Sequence, residues 1–545
     1  MNVSTTEPAV VHLREKIARV PLQQWLKSRC TVLNVVFALA TAVYVFFFWK
    51  SVPRWFHPGW TTDDALQQLY PFHAVLNPEL FQGDLVTEVM KGYLAPLHYW
   101  LCYVVTWLCG DPIMMGHWVM LLQACSAALF LFLAVQHAAG SVPAFFSVIW
   151  LLHTRQIMQR MTAGLPRGWA AAVLVATLYF VLKKSHKATL VVLLLGCLLH
   201  PPATMIAALT YGFVLVWGVL WEKSRKLYLK PLVQLVILSP IYIGITFYVV
   251  HRPEHVGQMV TYEEAQAMPE FQHPDGRFPF VPLSPVLWDL RVHGFQSFVD
   301  RFYNPGRFWK RNVRYVVLAA LLLLVLVGIV RKRHTIPVEL WCYVLATLAV
   351  YFASRLMAFR LYVPNRHLQF PMAIFFIALF SVGVWRAFYL NRGQSMSQPG
   401  DRRSFQATNL NCAWLSAVAL LVLGVFIYIG SGTGLYGDGN FNYARDKKGK
   451  VFAWLAEHTP QQALIAGHPT FIDGVMLFGK RRGFITTETA HPFYKGYNAE
   501  VQRRLELSLR AHFARDLSEL LAVLEPAEVD YFVFERKRFY PWALK

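Results

Sequence analysis

A chain of 545 residues that is 56% hydrophobic and only 15% charged has too little polar surface to cover a soluble globule of its size, so most of it must be solvated by lipid. The formal charge of +21 does not point to nucleic acid, because the basic residues collect in short runs between apolar segments, where they act as topology signals. The 7 cysteines lie mostly in or beside apolar stretches, without a C-x-x-C pair or a zinc-type histidine spacing, and read as small core residues.

In chain order, residues 1–31 form a mixed arm with Glu7, Arg14, Glu15 and Arg19, too long and too acidic for a secretory leader. The apolar run that follows, Val32 to Trp49, is therefore read as an uncleaved anchor. Further windows fall at Met114 to Val135, Ser141 to His153, Gly168 to Leu182, Ala188 to His200 and Ala203 to Trp221. Pro231 to Val250, Val313 to Val330, Pro337 to Ser354, Leu368 to Trp385 and Cys412 to Gly430 follow. The fold class is mainly α: a polytopic helical membrane domain over 32–430 with about eleven spans, then an α/β domain over 431–545.

The N-terminal arm, Lys183-Lys184, Lys223 to Lys226, Arg331-Lys332-Arg333 and Arg402-Arg403 all fall on one side of this map, which the positive-inside rule makes cytoplasmic. The opposite, extracytoplasmic side receives loops 50–113 and 251–312 and everything after Ser431.

The first of these loops carries Thr61 to Tyr70, which reads as a helix that Thr62 would N-cap, with Asp63 and Asp64 favourable to the dipole in its first turn. An aromatic amphipathic stretch from Pro96 to Tyr103 follows, suited to the membrane surface, and ends at Gly110-Asp111-Pro112. Two short outward loops break the charge rule: 154–167 carries Arg155, Arg160 and Arg167, and 355–367 carries Arg355, Arg360 and Arg366, with no acid in either. Lipid headgroups or acids on neighbouring loops are one form of compensation, and a phosphate-bearing ligand is the other.

The loop 251–312 holds Glu263-Glu264, a turn at His273-Pro274-Asp275-Gly276, and Trp288, Phe295, Phe298 and Phe302, whose aromatic rings read as packing residues, with sugar stacking or acceptor contact as the alternative. In the C-terminal region, Val451 to His458 reads as a helix, Ala463 to Ala466 as a strand, Glu500 to Leu524 as one long amphipathic helix and Val529 to Glu535 as a strand.

The order of Asp63-Asp64, Pro96-Leu97-His98-Tyr99, Gly110-Asp111, the Arg155 to Arg167 loop and the basic end at Lys183-Lys184 resembles the GT-C superfamily of membrane glycosyltransferases. The resemblance covers roughly the first 220 residues, and beyond them only the general plan. Trp454 to Pro460 is similar to the opening of the outward domain in oligosaccharyltransferase catalytic subunits. Their Trp-Trp-Asp-Tyr-Gly signature is absent, and Gly467 to Phe471 stands in the comparable place.

The resemblance implies transfer of a sugar from a polyprenyl-phosphate-linked donor to a glycan, lipid or protein acceptor, with inversion, in glycan biosynthesis of the cell envelope. Asp63 would be the general base that takes the acceptor proton, Asp64 would tune it or orient the acceptor, and Arg155, Arg160, Arg167, Arg360 and Arg366 would bind the donor phosphate. His98, His200, His367 and Glu263 would line the site, although proline termination of a helix explains His200-Pro201-Pro202 as well. The adjacent carboxylates leave a divalent metal open. A transporter or flippase of lipid-linked sugars, which would need the arginines and not the acids, and a non-catalytic scaffold are the rival readings.

Overall fold

The computed structural model describes residues 56–250, 253–295, 322–323, 326, 336–361, 363–389, 441–442 and 448–540. The N-terminal arm, the predicted spans Val32 to Trp49 and Cys412 to Gly430, and most of Val313 to Val330 lie outside them.

The described apolar windows are helices: α3 (Pro112–Ala139), α4 (Ser141–His153), α6 (Trp169–Leu182), α7 (His186–Leu199), α8 (Pro201–Trp221), α9 (Arg225–Val250), α10 (Val338–Leu356) and α11 (Arg366–Tyr389). Five of these, α3 and α8 to α11, are long and apolar enough to cross a membrane, which makes the protein an integral membrane protein. The burial pattern ranks them. In α6, Ala170 to Ala176 are all buried between α3 and α8, so this helix forms the core of the bundle. By contrast α9 buries none of its most apolar window and exposes Leu229, Val236, Ile237, Ile243 and Phe247, as a helix packed on one side and facing lipid on the other would.

Helix ends follow local chemistry. Gly110, at φ 70°, ends α2 (Pro96–Cys109) in the left-handed conformation that glycine adopts without strain. The Asp111 carboxylate then accepts from the Ile113 and Met114 amides at 2.8 Å, and Pro112 occupies the first helical position of α3. His200 Nδ1 accepts from the Ala203 amide at 3.2 Å and so N-caps α8, which gives His200-Pro201-Pro202 its helix-boundary role.

Two predicted helices differ from expectation. The segment after Thr62 forms a single turn, Ala65–Gln68, which Asp64 precedes without a capping hydrogen bond, so Thr62 is not an N-cap. The long helix expected from Glu500 to Leu524 is two, α13 (Lys495–His512) and α14 (Leu517–Leu524), because the Asp516 side chain accepts from the Glu519 amide and starts a new helix.

Residues 448–540 build a parallel sheet in the order β4 (Arg482–Gly483), β3 (Leu464–Gly467), β5 (Tyr531–Val533), with α12 (Lys448–His458) and α13 beside it. The first loop docks on this segment: His73 Nε2 lies 2.7 Å from the Leu477 carbonyl, and Asn77 donates to Gln461 at 3.0 Å. Two residues of β1 (Trp60–Thr61) pair antiparallel with β2 (Phe441–Asn442). Phe271, Val281, Phe359 and Val363 form a small core with Phe278 and Phe493, which joins the 253–295 loop and the α10–α11 connection to the C-terminal segment. The three segments that the charge map puts on one side are thus packed together. At the other end, Lys184 sits over the Tyr228 ring at 5.5 Å, bringing two of the basic connections into contact.

The loop between α4 and α6 is pinned to α3. Gln123, fully buried, donates to the Leu165 carbonyl at 2.9 Å, and a Cβ on Gly164 would come within 2.5 Å of the Gly116 carbonyl and 2.7 Å of Val119. Gly164 also has φ 64°, so any side chain there meets both backbone strain and steric overlap. Gly164→Val is expected to lower the apparent melting temperature in detergent, at a cost of about 1–3 kcal/mol or more. An unchanged melting curve contradicts this packing.

Candidate functional site

The Asp63 and Asp64 carboxylates point to different partners, because the chain turns directly after them. Asp63 is exposed, and its Oδ1 accepts from the Thr62 hydroxyl and the Asp64 amide, both at 2.9 Å. Asp64 reaches across the fold: its Oδ2 accepts from Arg167 Nη2 at 2.5 Å. Burial alone would raise the Asp64 pKa, but Arg167, Arg160 and Arg366 together outweigh it, so the carboxyl is held below its ordinary value of 3.8. Both partners are partly exposed, at 25% for Arg167 and 35% for Asp64, so water screens the pair and its consequence is chiefly positional.

The arginines of the two acid-free loops separate by role. Arg167 is compensated by Asp64 and Arg355 by Asp289, at 3.1 Å, so acids on neighbouring loops account for these two. The Arg355 guanidinium also donates to the Ser284 carbonyl at 2.8 Å, which anchors the 253–295 loop to the end of α10. Arg160, on α5 (Arg155–Met161), and Arg366, at the start of α11, act on both Asp64 and His293. Among the described residues the Arg366 guanidinium has no hydrogen bond or ion pair. His293 lies between Asn365 Nδ2 at 3.4 Å and Gln369 Nε2 at 3.3 Å, and burial leads the lowering of its pKa.

A second group of polar residues, which sequence reasoning missed, faces the same acids. Glu488 lies 3.7 Å from Arg277 and accepts from Gln67 Nε2 at 3.4 Å, while its backbone amide donates to Asp473 at 2.8 Å. Burial, reinforced by Asp473, Asp64 and Asp63, pushes the Glu488 carboxyl up to about 7 against the pull of Arg277. His491 is held near pKa 4 by burial, with Arg277 adding to the effect, and its ring packs on Tyr93 and Phe278. No local spacing marks Glu488 in the sequence, since 421 positions separate it from Gln67.

The remaining sequence candidates lie elsewhere. Arg155 opens α5, and its side chain is outside the described residues. Arg360 is exposed, with no acid paired to it among the described residues. His98 is buried and accepts from Trp169 Nε1 at 3.1 Å, His200 caps α8, and His367 Nε2 lies 2.7 Å from the Leu361 carbonyl, so each has a structural partner. Glu263 is exposed in the single turn Tyr262–Ala265, where its neighbour Glu264 closes a capping box with Thr261 and pairs with Lys495 at 2.5 Å. Among the described residues no group of three or more His, Cys, Asp or Glu side chains is placed to hold a metal ion, and the cation facing Asp64 is Arg167.

No family model matches the chain, and no curated protein matches it. Solved membrane glycosyltransferases of the GT-C superfamily are similar to it. The oligosaccharyltransferase AglB of Archaeoglobus fulgidus, in complex with an inhibitory peptide and a dolichol-phosphate, is 13% identical at a TM-score of 0.49, covering 94% of this chain and 70% of its own. The same enzyme tethered to an acceptor peptide gives 13% identity and a TM-score of 0.47 over the same shares. ArnT from Cupriavidus metallidurans bound to undecaprenyl phosphate is 13% identical over 90% of both chains, at a TM-score of 0.46. At this identity none of them assigns a role to a residue of this chain.

The raised Glu488 pKa has a pH signature. Its stabilising contribution is fully present below the unfolded value of 4.5 and is lost as pH rises through about 7. The apparent melting temperature should therefore fall more for the wild type than for Glu488→Gln between about pH 5 and pH 8. Equal pH profiles for the two proteins contradict the assignment.

Proposed function

We propose that the protein is a membrane glycosyltransferase that moves a sugar from a polyprenyl-phosphate-linked donor to an acceptor on the extracytoplasmic face. The observation that carries the reading is the Asp64–Arg167 contact at 2.5 Å, with Arg160 and Arg366 acting on the same carboxylate. Three segments far apart in sequence bring an acid pair and a set of guanidinium groups to one place, as a reaction that removes a proton from one substrate and expels a phosphate from the other requires.

Each step then has a group. An acceptor hydroxyl attacks the anomeric carbon as its proton passes to Asp63, whose carboxylate faces solvent. The bond from the anomeric carbon to the phosphate oxygen breaks, and the electron pair leaves with the polyprenyl phosphate. Attack opposite the leaving group inverts the anomeric centre. Arg160 and Arg366 receive the phosphate charge, because guanidinium forks bind phosphate oxygens in pairs and stabilise charge that grows as the bond breaks. Asp64 holds Arg167 and so keeps the first loop in register with the arginine loop.

The location suits both substrates. With the N-terminus cytoplasmic, the packed loops and the C-terminal α/β domain lie outside, and a prenyl tail stays in lipid beside apolar helices while its head enters from the membrane boundary. Residues 448–540 hold the first loop through the His73–Leu477 contact and supply Glu488.

Purified protein in nanodiscs, incubated with a panel of polyprenyl-phosphate sugars, should release polyprenyl phosphate. Asp63→Asn should lower that turnover about 10²- to 10⁴-fold, and Arg160→Ala with Arg366→Ala should lower it by roughly 10²-fold or more, with melting curves unchanged. Flux of lipid-linked sugar that survives Asp63→Asn while the arginine variants abolish it indicates a transporter instead.

A further inference from the structure

The acids of the site face two kinds of neighbour. Asp64 meets arginines, whereas Glu488 sits among polar groups with unspent hydrogen-bonding capacity. Gln67 is only 5% exposed; its amide nitrogen reaches Glu488, and among the described residues its Oε1 has no partner. Arg277 reaches the same carboxylate from the 253–295 loop, and its Nη1 is buried without a partner among the described residues. The hydroxyl of Thr487, next to Glu488 in sequence, is likewise buried and unpartnered among them. Buried polar atoms in folded proteins are nearly always paired, so an acceptor and a donor left open beside one carboxyl, with an open hydroxyl on the next residue, mark a place where something polar docks.

We propose that Glu488, Arg277 and Gln67 form the acceptor subsite, and that the group seated there is neutral and hydroxyl-rich, as a sugar ring is. This rests on the transferase reading above and names the acceptor side of that site. A hydroxyl both donates and accepts, so neighbouring hydroxyls satisfy Gln67 Oε1 and Arg277 Nη1 together, and a third bonds the Glu488 carboxyl. An anionic group would meet Asp473, Asp63 and Asp64 beside Glu488, all of which act on it electrostatically. An ammonium would meet Arg277, and an apolar group would leave the three open atoms unsatisfied. The subsite joins three segments: Gln67 from the first loop, Arg277 from the 253–295 loop, and Glu488 from the connection between β4 and α13. The C-terminal segment thereby takes part in choosing the acceptor while the arginines of the bundle hold the donor.

The test reads binding and needs no donor. Full-length protein in nanodiscs is titrated with the methyl glycosides of glucose, mannose and galactose, and with methyl glucuronide as the anionic counterpart, by saturation-transfer-difference NMR. At least one neutral glycoside is expected to bind. Glu488→Ala should weaken it about 10-fold or more, and Gln67→Met, which keeps the side-chain length, should weaken it several-fold. Glu488→Gln, a neutral isostere, should stay within about 3-fold of the wild type. Absence of binding by every neutral glycoside, preference for the glucuronide, or unchanged affinity in both Glu488→Ala and Gln67→Met overturns the proposal. Should Glu488→Ala not fold, Gln67→Met decides alone. Loss of turnover in Asp63→Asn together with no glycoside binding leaves the transferase reading standing and removes this one; glycoside binding without turnover does the reverse.

Discussion

The contact between Asp64 and Arg167 ties together two loops that also pack at one point, since a Cβ on Gly116 would lie 3.1 Å from Leu69 of the first loop and 2.7 Å from the Ala163 carbonyl of the arginine loop. Asp64 sits on a one-turn helix held from the C-terminal side by the His73 and Asn77 contacts, and Arg167 sits on a loop held from the bundle side by Gln123 and the Gly116–Gly164 approach. Both loops also pack on α3 at Gly116, and the ion pair adds a direct polar link between them. Its strength is modest, since solvent reaches both side chains. What it contributes is register: it brings the acids to the guanidinium groups of Arg160 and Arg366.

The site is electrostatically divided. On the bundle side three arginines act on Asp64 and hold its carboxyl ionised, and among the described residues Arg366 has no bonded partner. On the C-terminal side Asp473 and Glu488 crowd together with one arginine between them, and burial leaves Glu488 half-titrated near neutral pH. A reaction that separates a proton from one substrate and a phosphate from the other benefits from such a division, because each developing charge finds its complement already oriented.

Much of the membrane fold was legible because its signal is local. Ser141 to His153 appears as α4 with both ends as expected, and Gly110-Asp111-Pro112 names its own turn: a glycine to stop one helix, an aspartate to cap the next and a proline in its first turn. Asp516, followed by Glu519, carried a cap signal inside the long amphipathic stretch, and periodicity alone passed over it. The acid pair and the arginine loops stood out because charges are conspicuous among apolar windows. Glu488, Arg277 and His293 did not, since nothing near them in the chain sets them apart and their environment is created by segments between 72 and 421 positions away. The same holds for the division of the arginines: only the fold reveals that Arg355 belongs to Asp289 and Arg167 to Asp64, while Arg360 stays in solvent.

The central claim is that the acids and the arginines share one site at which a lipid-borne phosphate binds. An electron cryomicroscopy map of the protein in nanodiscs with a polyprenyl phosphate tests it directly. The account predicts phosphate density in contact with the Arg160 and Arg366 guanidinium groups, with the prenyl chain running into lipid and the Asp63–Asp64 turn facing the headgroup. Phosphate density on the opposite face of the bundle, or at a headgroup site remote from Asp64, contradicts it.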